Sequence, residues 1–541
     1  MCRYYAFRDP DALYRRTVRL LAFAVAPAFV VLLYAALRGL GLQAPALPLQ
    51  LAGSAALAPL LLLVPALRPY AGYKAHLKRL GEESYWAVLV ASVYAQAGLS
   101  AAQIFNRLKE KEAALPHASF ELRRIARDSA VALQPLPAIL SREADRPVGG
   151  VWRQLLSTLS FLERGGGPPA QAFRDLHSHA VSHLKASFRS MSGRMNAVST
   201  AVASLFTVVP VTLYAIFILL ASPHLPAMVA AYSIFSALAA AGVMLLADGL
   251  SPDVYPRWFA PIYLKPALRW LPLGLALGAS VSMGLLTTPL ALRFPHVIAV
   301  TLGSCGFALP AYLEWRRHDS AITEAVEGLP ALLRDLAEEV RRGSSPFRAL
   351  ELLTARGRRG FDRLLKLVAC KARLSGLDGA LRGFAHLLPK PTLLALELVK
   401  DLEELGAGAE ALDGLAEAFR ESVDSMAEYR SSVSLNRWMI AVGVALAGLV
   451  AAALLGVVVP MLADMTVNAG GALPFNLPIG AWDRCSTVNL VFLGLSASAV
   501  TSGLLGGKLS TFRLGEGLRD AAVCCLVLLA SLLVGVLAGW V

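Results

Sequence analysis

Long apolar runs alternate with two charged blocks along this chain. A bilayer core about 30 Å thick is crossed by about 20 predominantly apolar residues in an α-helix. Nine stretches reach or approach that length, at 18–37, 45–67, 197–221, 225–247, 270–288, 294–313, 438–462, 486–507 and 521–541. The run 270–288 is the weakest, being short and Gly-rich. A soluble domain buries an occasional helix of this kind but does not repeat it so often. The pattern predicts an all-α, multi-pass membrane protein with about nine spans. The first run follows Arg3, Arg8, Arg15, Arg16 and Arg19 and could pass for a signal peptide. Its length exceeds a signal h-region and a second run follows at once, so it reads as a retained span.

Two charged blocks lie between these runs, at 68–196 and 314–437. Each carries helical spacing punctuated by Gly turns. In the first, Trp152, Leu155, Leu156, Leu159 and Leu162 form a stripe that ends at Gly165–Gly166–Gly167–Pro168–Pro169; Phe173, Leu176, Leu184 and Phe188 continue beyond it. In the second, Leu329, Leu332, Leu333, Leu336 and Val340 form a stripe ended by Gly343, with Pro346 starting the next helix. Leu398, Leu402 and Leu405 stop at Gly406 and Gly408, and Leu412, Leu415, Ala416 and Phe419 resume. The blocks read as small helical bundles related by internal duplication. No Pro or Gly cluster separates Phe188 from Ala197 or Phe419 from Trp438, so the last helix of each block is expected to run straight into a span.

The resulting organisation is a tail and two spans over 1–67 and a first bundle over 68–196. Four spans follow over 197–313, with an interfacial link at 251–269. A second bundle fills 314–437, and three spans over 438–541 enclose an external loop at 463–485. Lys and Arg set the orientation. With the N-terminus inside, both blocks, the link with Arg257, Lys265 and Arg269, and the turn with Lys508, Arg513 and Arg519 all face the cytoplasm, and Val541 lies outside.

Composition adds little chemistry. The chain is 56% hydrophobic and 16% charged, with a net charge of +13. That charge is explained by topology and anionic lipid; no aromatic-plus-basic pattern of a nucleic-acid module is present. Block one carries 18 basic and 10 acidic residues, whereas block two is near neutral. The six cysteines form no CxxC pair and predict neither a disulfide framework nor a zinc site.

The motifs carry a resemblance. Block one contains Ala95–Gln96–Ala97–Gly98–Leu99–Ser100, then Leu162–Glu163–Arg164–Gly165–Gly166–Gly167–Pro168, then Val208–Val209–Pro210. Block two has Val340–Arg341–Arg342–Gly343–Ser344–Ser345–Pro346, then Leu402–Glu403–Glu404–Leu405–Gly406–Ala407–Gly408, then Val457–Val458–Val459–Pro460–Met461. From about 68 to 463 this resembles the type II secretion F domain. That domain occurs twice in platform proteins of type IV pilus, type II secretion, tight-adherence and archaellum machines. The high span count resembles the archaeal branch. One departure stands out: Pro210 lies 45 residues after Gly165, and Pro460 lies 54 after Gly406. The resemblance implies a cell-membrane platform, usually oligomeric, that couples a cytoplasmic hexameric ATPase to insertion of pilin-like subunits. It implies no cofactor and no catalysis by the chain itself.

Several motifs compete with that picture. Gly503–Leu504–Leu505–Gly506–Gly507–Lys508–Leu509–Ser510 approaches a phosphate loop, but its spacing is one short and Leu509 stands where Ser or Thr is required. It reads as small-residue helix packing followed by an interfacial Lys. Asp175, His179 and His183 share a helix face that could bind a metal, or could be a solvated face. Arg123, Arg124 and Arg127 in block one, and Arg356, Arg358 and Arg359 in block two, are basic clusters. They suit solvated surface near anionic lipid or docking to an acidic partner. A secondary transporter is the alternative function, but the apolar runs carry no central Asp, Glu, Lys or Arg. No paired-aspartate or HExxH protease motif lies in a span.

Overall fold

The computed structural model describes residues 48–146, 149–219, 225–250, 261–283, 294–356, 362–384, 388–406, 408–458, 460–461 and 484–540. Among them every regular element is helical. The expected first span, the external loop up to 483, and Asp253, Pro256, Arg257, Arg358, Arg359 and Asp464 lie outside the described residues. The chain divides into two compact units, Met1–Leu176 and His177–Val541.

In the first unit, helix α1 (Pro48–Gln96) ends because Gly98 adopts φ +86°, a left-handed conformation that a side chain disfavours. The Gly98 N–H bonds to the Ala95 carbonyl and the Leu99 N–H to that of Tyr94, which satisfies the last turn. Ser100 then caps α2 (Ala101–Glu110) in a reciprocal capping box with Gln103. Helix α3 (Pro116–Ala132) has no capping side chain of its own at Leu115. Its free N–H groups at His117 and Ala118 donate instead to Oε2 of Glu83 on α1, at 2.8 and 2.9 Å. Helices α4 (Leu136–Ala144) and α5 (Gly150–Gly165) follow. The stripe Trp152, Leu155, Leu156, Leu159 and Leu162 is the buried face of α5, as its spacing predicts. The helix ends at Gly166, with φ +59°.

Helix α6 (Pro169–Ala203) passes from the first unit into the second. It continues through a π turn at Ser204–Val208 into α7 (Val209–Leu219). Next come α8 (Leu225–Leu250), α9 (Pro261–Ser282) and α10 (Pro295–Glu327). Close approach of α9 and α10 depends on glycine. A Cβ on Gly274 would lie 2.7 Å from the Gly303 carbonyl oxygen, and one on Gly278 would lie 3.2 Å from that of Ala299. Such small-residue contacts let the two helix backbones approach closely.

The second block consists of α11 (Leu329–Arg341), α12 (Pro346–Arg356), α13 (Asp362–Phe384) and α14 (Lys390–Glu404). Helix α15 (Ala409–Ala453) leads out of it and through a second π turn, Leu454–Val458. Gly343 at φ +92° ends α11 with the same pair of backbone bonds seen at Gly98, from Gly343 to Val340 and from Ser344 to Glu339. The Ser345 hydroxyl then accepts the Arg348 N–H. Helices α11 and α15 run antiparallel, tied by the ion pairs Arg334–Glu417 and Arg341–Asp413. Two long helices close the chain, α16 (Arg484–Thr511) and α17 (Leu514–Leu537).

Among the described residues, five helices are long and apolar enough to cross a membrane: Pro169–Ile216, Pro295–Glu327, Ala409–Val458, Thr487–Thr511 and Leu514–Leu537. A shorter apolar helix covers Phe235–Ala247. The first and third of the five contain the last helix of each block, so the expected continuity from bundle to apolar segment is present in both.

Candidate functional site

The two long helices α6 and α15 meet side by side within the second unit. Four polar pairs link them: Lys185–Glu421 at 3.6 Å, Arg189–Glu428 at 3.4 Å, Ser192–Ser432 at 2.7 Å and Asn196–Asn436 at 2.7 Å. Residue numbers rise together on both sides, so the helices are parallel. The last two pairs along the helices are homotypic, and each joins residues 240 apart. A small cleft opens along the seam, lined by Phe188, Ser425 and Tyr429 together with Lys185, Arg189, Ser192, Glu428 and Ser432. Ser192 is buried, Asn196 and Asn436 are half-buried and Ser432 is exposed; a buried polar side chain without a partner costs about 1–3 kcal/mol. Ser and Asn are small enough to find partners across the seam without parting the helices.

Of the block-one arginines, Arg123 is half-exposed and pairs with Glu112 at 2.6 Å, while Arg127 is exposed. Arg124 points inward. Its guanidinium reaches Glu121 at 2.7 Å, Glu143 at 2.6 Å and Asp128 at 3.5 Å. His76 joins this network, with Nε2 2.9 Å from Glu121 and Nδ1 2.8 Å from Nδ1 of His117. The two imidazoles are therefore satisfied when one Nδ1 carries a proton and the other accepts it. Burial pushes the Glu121 carboxyl up, but the His76 hydrogen bond and the Arg124 charge outweigh it, so it sits below its ordinary value. For Arg124, burial works against the charge and the Glu121 and Glu143 carboxylates more than restore it, raising its pKa. In block two, Arg356 ends α12, while Arg358 and Arg359 lie outside the described residues.

Asp175, His179 and His183 are all exposed on α6. Among the described residues no three His, Cys, Asp or Glu side chains stand close enough to hold a metal ion.

The phosphate-loop-like segment is helix from end to end within α16. A Cβ on Gly503 would lie 2.4 Å from the Ala521 Cα, and one on Gly507 would lie 2.3 Å from the Gly517 nitrogen. These glycines let α16 and α17 touch, as the small-residue reading expects. Lys508 departs from that reading. It is fully buried rather than interfacial, and its ammonium donates to the Phe512 carbonyl at the end of the helix. An ammonium there also suits the negative end of the helix dipole.

A second charged cluster escaped the sequence reading. Arg513 pairs with Asp319 at 2.5 Å, and Arg437 bonds Glu516 at 2.7 Å and Asp520 at 2.6 Å. The partners are 194, 79 and 83 residues apart. The only signal was the presence of charges at the ends of otherwise apolar runs.

Compared with known proteins, the chain matches no family model, no curated relative and no solved structure.

Proposed function

We propose that this chain is a non-enzymatic assembly platform of the cell membrane. It couples a cytoplasmic hexameric ATPase to the insertion of pilin-like subunits in a type IV filament or type II secretion machine. The observation that carries the reading is the parallel seam of α6 and α15. Each of these helices leaves a helical bundle and continues unbroken into an apolar segment, so displacement of a bundle has a stiff path into the membrane. The homotypic pairs Ser192–Ser432 and Asn196–Asn436 favour an internal duplication. Matching turns support the same view. Gly98 and Gly343 are both left-handed with a capping Ser two residues on, Gly166 and Gly406 are both left-handed, and a π turn stands just before Pro210 and before Pro460.

In this reading the bundles face the cytoplasm, about nine spans cross the membrane, and the chain works as an oligomer. Trp438, 70% exposed at the start of the apolar part of α15, suits the membrane boundary. Of the cluster Arg123, Arg124 and Arg127, Arg123 and Arg127 are the exposed members that an acidic partner could reach. The test is co-purification of the full chain with a hexameric secretion ATPase. Wild type should retain the ATPase, and Arg123→Glu/Arg127→Glu should release it at lower salt. Absence of any ATPase in the wild-type complex, or uptake of solutes by the chain alone in liposomes, would overturn the proposal.

A further inference from the structure

We propose that the turn between α16 and α17 is a two-point clamp that locks the helix entering the second block to the helix leaving it. The entering helix is α10, which passes into α11 at Gly328; the leaving helix is α15. The turn itself is unusual. Phe512 adopts φ +59°, a conformation rare for any residue with a side chain and rarer still for a bulky one. Lys508, buried beneath it, donates to the Phe512 carbonyl at 3.1 Å and holds the turn closed.

One face of the turn grips α15. The Phe512 ring stacks on Tyr429, with centroids 4.7 Å apart and planes at 14°. The Tyr429 hydroxyl donates to the Leu509 carbonyl at 3.2 Å. Two turns further along α15, Arg437 holds both Glu516 and Asp520 at the start of α17. The opposite face grips α10. Arg513 donates to Asp319 at 2.5 Å and to the Thr323 hydroxyl at 2.8 Å, with the ion pair almost wholly buried. Trp315 lies flat against Gly515, so close that a Cβ there would fall 1.9 Å from the indole. Arg316 and Arg519 both lie over the Tyr312 ring, at 6.0 and 5.9 Å.

A buried ion pair is costly to break on one side, because the remaining charge stays out of water. The clamp therefore resists sliding of α10 against α15, and the second block, α10, α15 and the terminal hairpin move as one body. This deepens the platform reading by naming the route from block two into the membrane. It also makes α16 and α17, which lie outside both blocks, part of that route.

The experiment is a distance measurement by pulsed electron spin resonance on the full chain in lipid nanodiscs. Spin labels are placed at Leu313 on α10 and Leu435 on α15, which are 57% and 66% exposed. The parent should give one narrow distance distribution. Arg513→Gln should broaden it at least twofold, and Arg437→Gln should do so independently. Should Arg513→Gln fail to fold, Thr323→Val removes one acceptor while keeping the ion pair, and a smaller broadening is expected. Unchanged widths in the folded variants, or a parent distribution already as broad as theirs, would overturn the clamp. The measurement needs no motor and no filament, so its failure and the failure of the platform reading are separable.

Discussion

Asn196 and Asn436 face each other across the seam of α6 and α15, the Asn436 amide donating to the Asn196 side-chain carbonyl at 2.7 Å. One turn earlier Ser192 and Ser432 do the same. Such a side-chain pair contributes about 0.5–1.5 kcal/mol net and also fixes the register. Replacing Asn436 by Leu strands the Asn196 amide and should lower the thermal midpoint in detergent. The double change to Leu should cost less than the sum of the singles, because it leaves no orphan. Strict additivity in a double-mutant cycle would deny the contact.

The glycines of the terminal hairpin make a sharper forecast. Gly507→Val places side-chain atoms against the Gly517 backbone and should destabilise by more than about 2 kcal/mol. Gly242→Ala on α8 meets nothing within 4 Å and should be neutral or stabilising. Thermal unfolding followed by circular dichroism checks both. The platform proposal expects the purified chain to hydrolyse no ATP, and the phosphate-loop-like segment, a packed helix, offers no phosphate cradle.

Glu83 contributes from a distance in sequence, capping α3 from α1. Glu83→Ala removes the acceptor for two backbone N–H groups at the positive end of a helix dipole and should cost about 1–3 kcal/mol. Hydrogen exchange should report it as faster exchange confined first to His117 and Ala118. Uniform acceleration across the unit would point to loss of packing instead.

Acid should act through Glu121. Its carboxyl is held below the ordinary value, so its contribution is full above the unfolded pKa of about 4.3 and is lost as pH falls through the lower folded value. Stability should therefore decline below about pH 4.3. Glu121→Gln, which carries no titrating proton, should flatten that slope while lowering stability at pH 7. A slope unchanged by the substitution would place the acid sensitivity elsewhere.

Much of this molecule follows from its sequence alone. Period and length separate apolar helices from amphipathic ones, and Gly98, Gly343 and Gly406 mark real helix ends because only glycine adopts a left-handed turn without strain. The stripe on α5 is buried as its spacing requires, and so is that on α11 up to the half-buried Val340. These are local properties, decided by a residue and its near neighbours. Tertiary structure decided what lies across space. It turned Arg124 into the centre of an internal network, sank Lys508 beneath its own helix end, and paired Arg513 with Asp319 and Asn196 with Asn436. A charged side chain on a helix looks the same in sequence whether it faces water or another helix. Its role is set by which desolvated partner the fold brings within about 3 Å, and that depends on contacts many residues away.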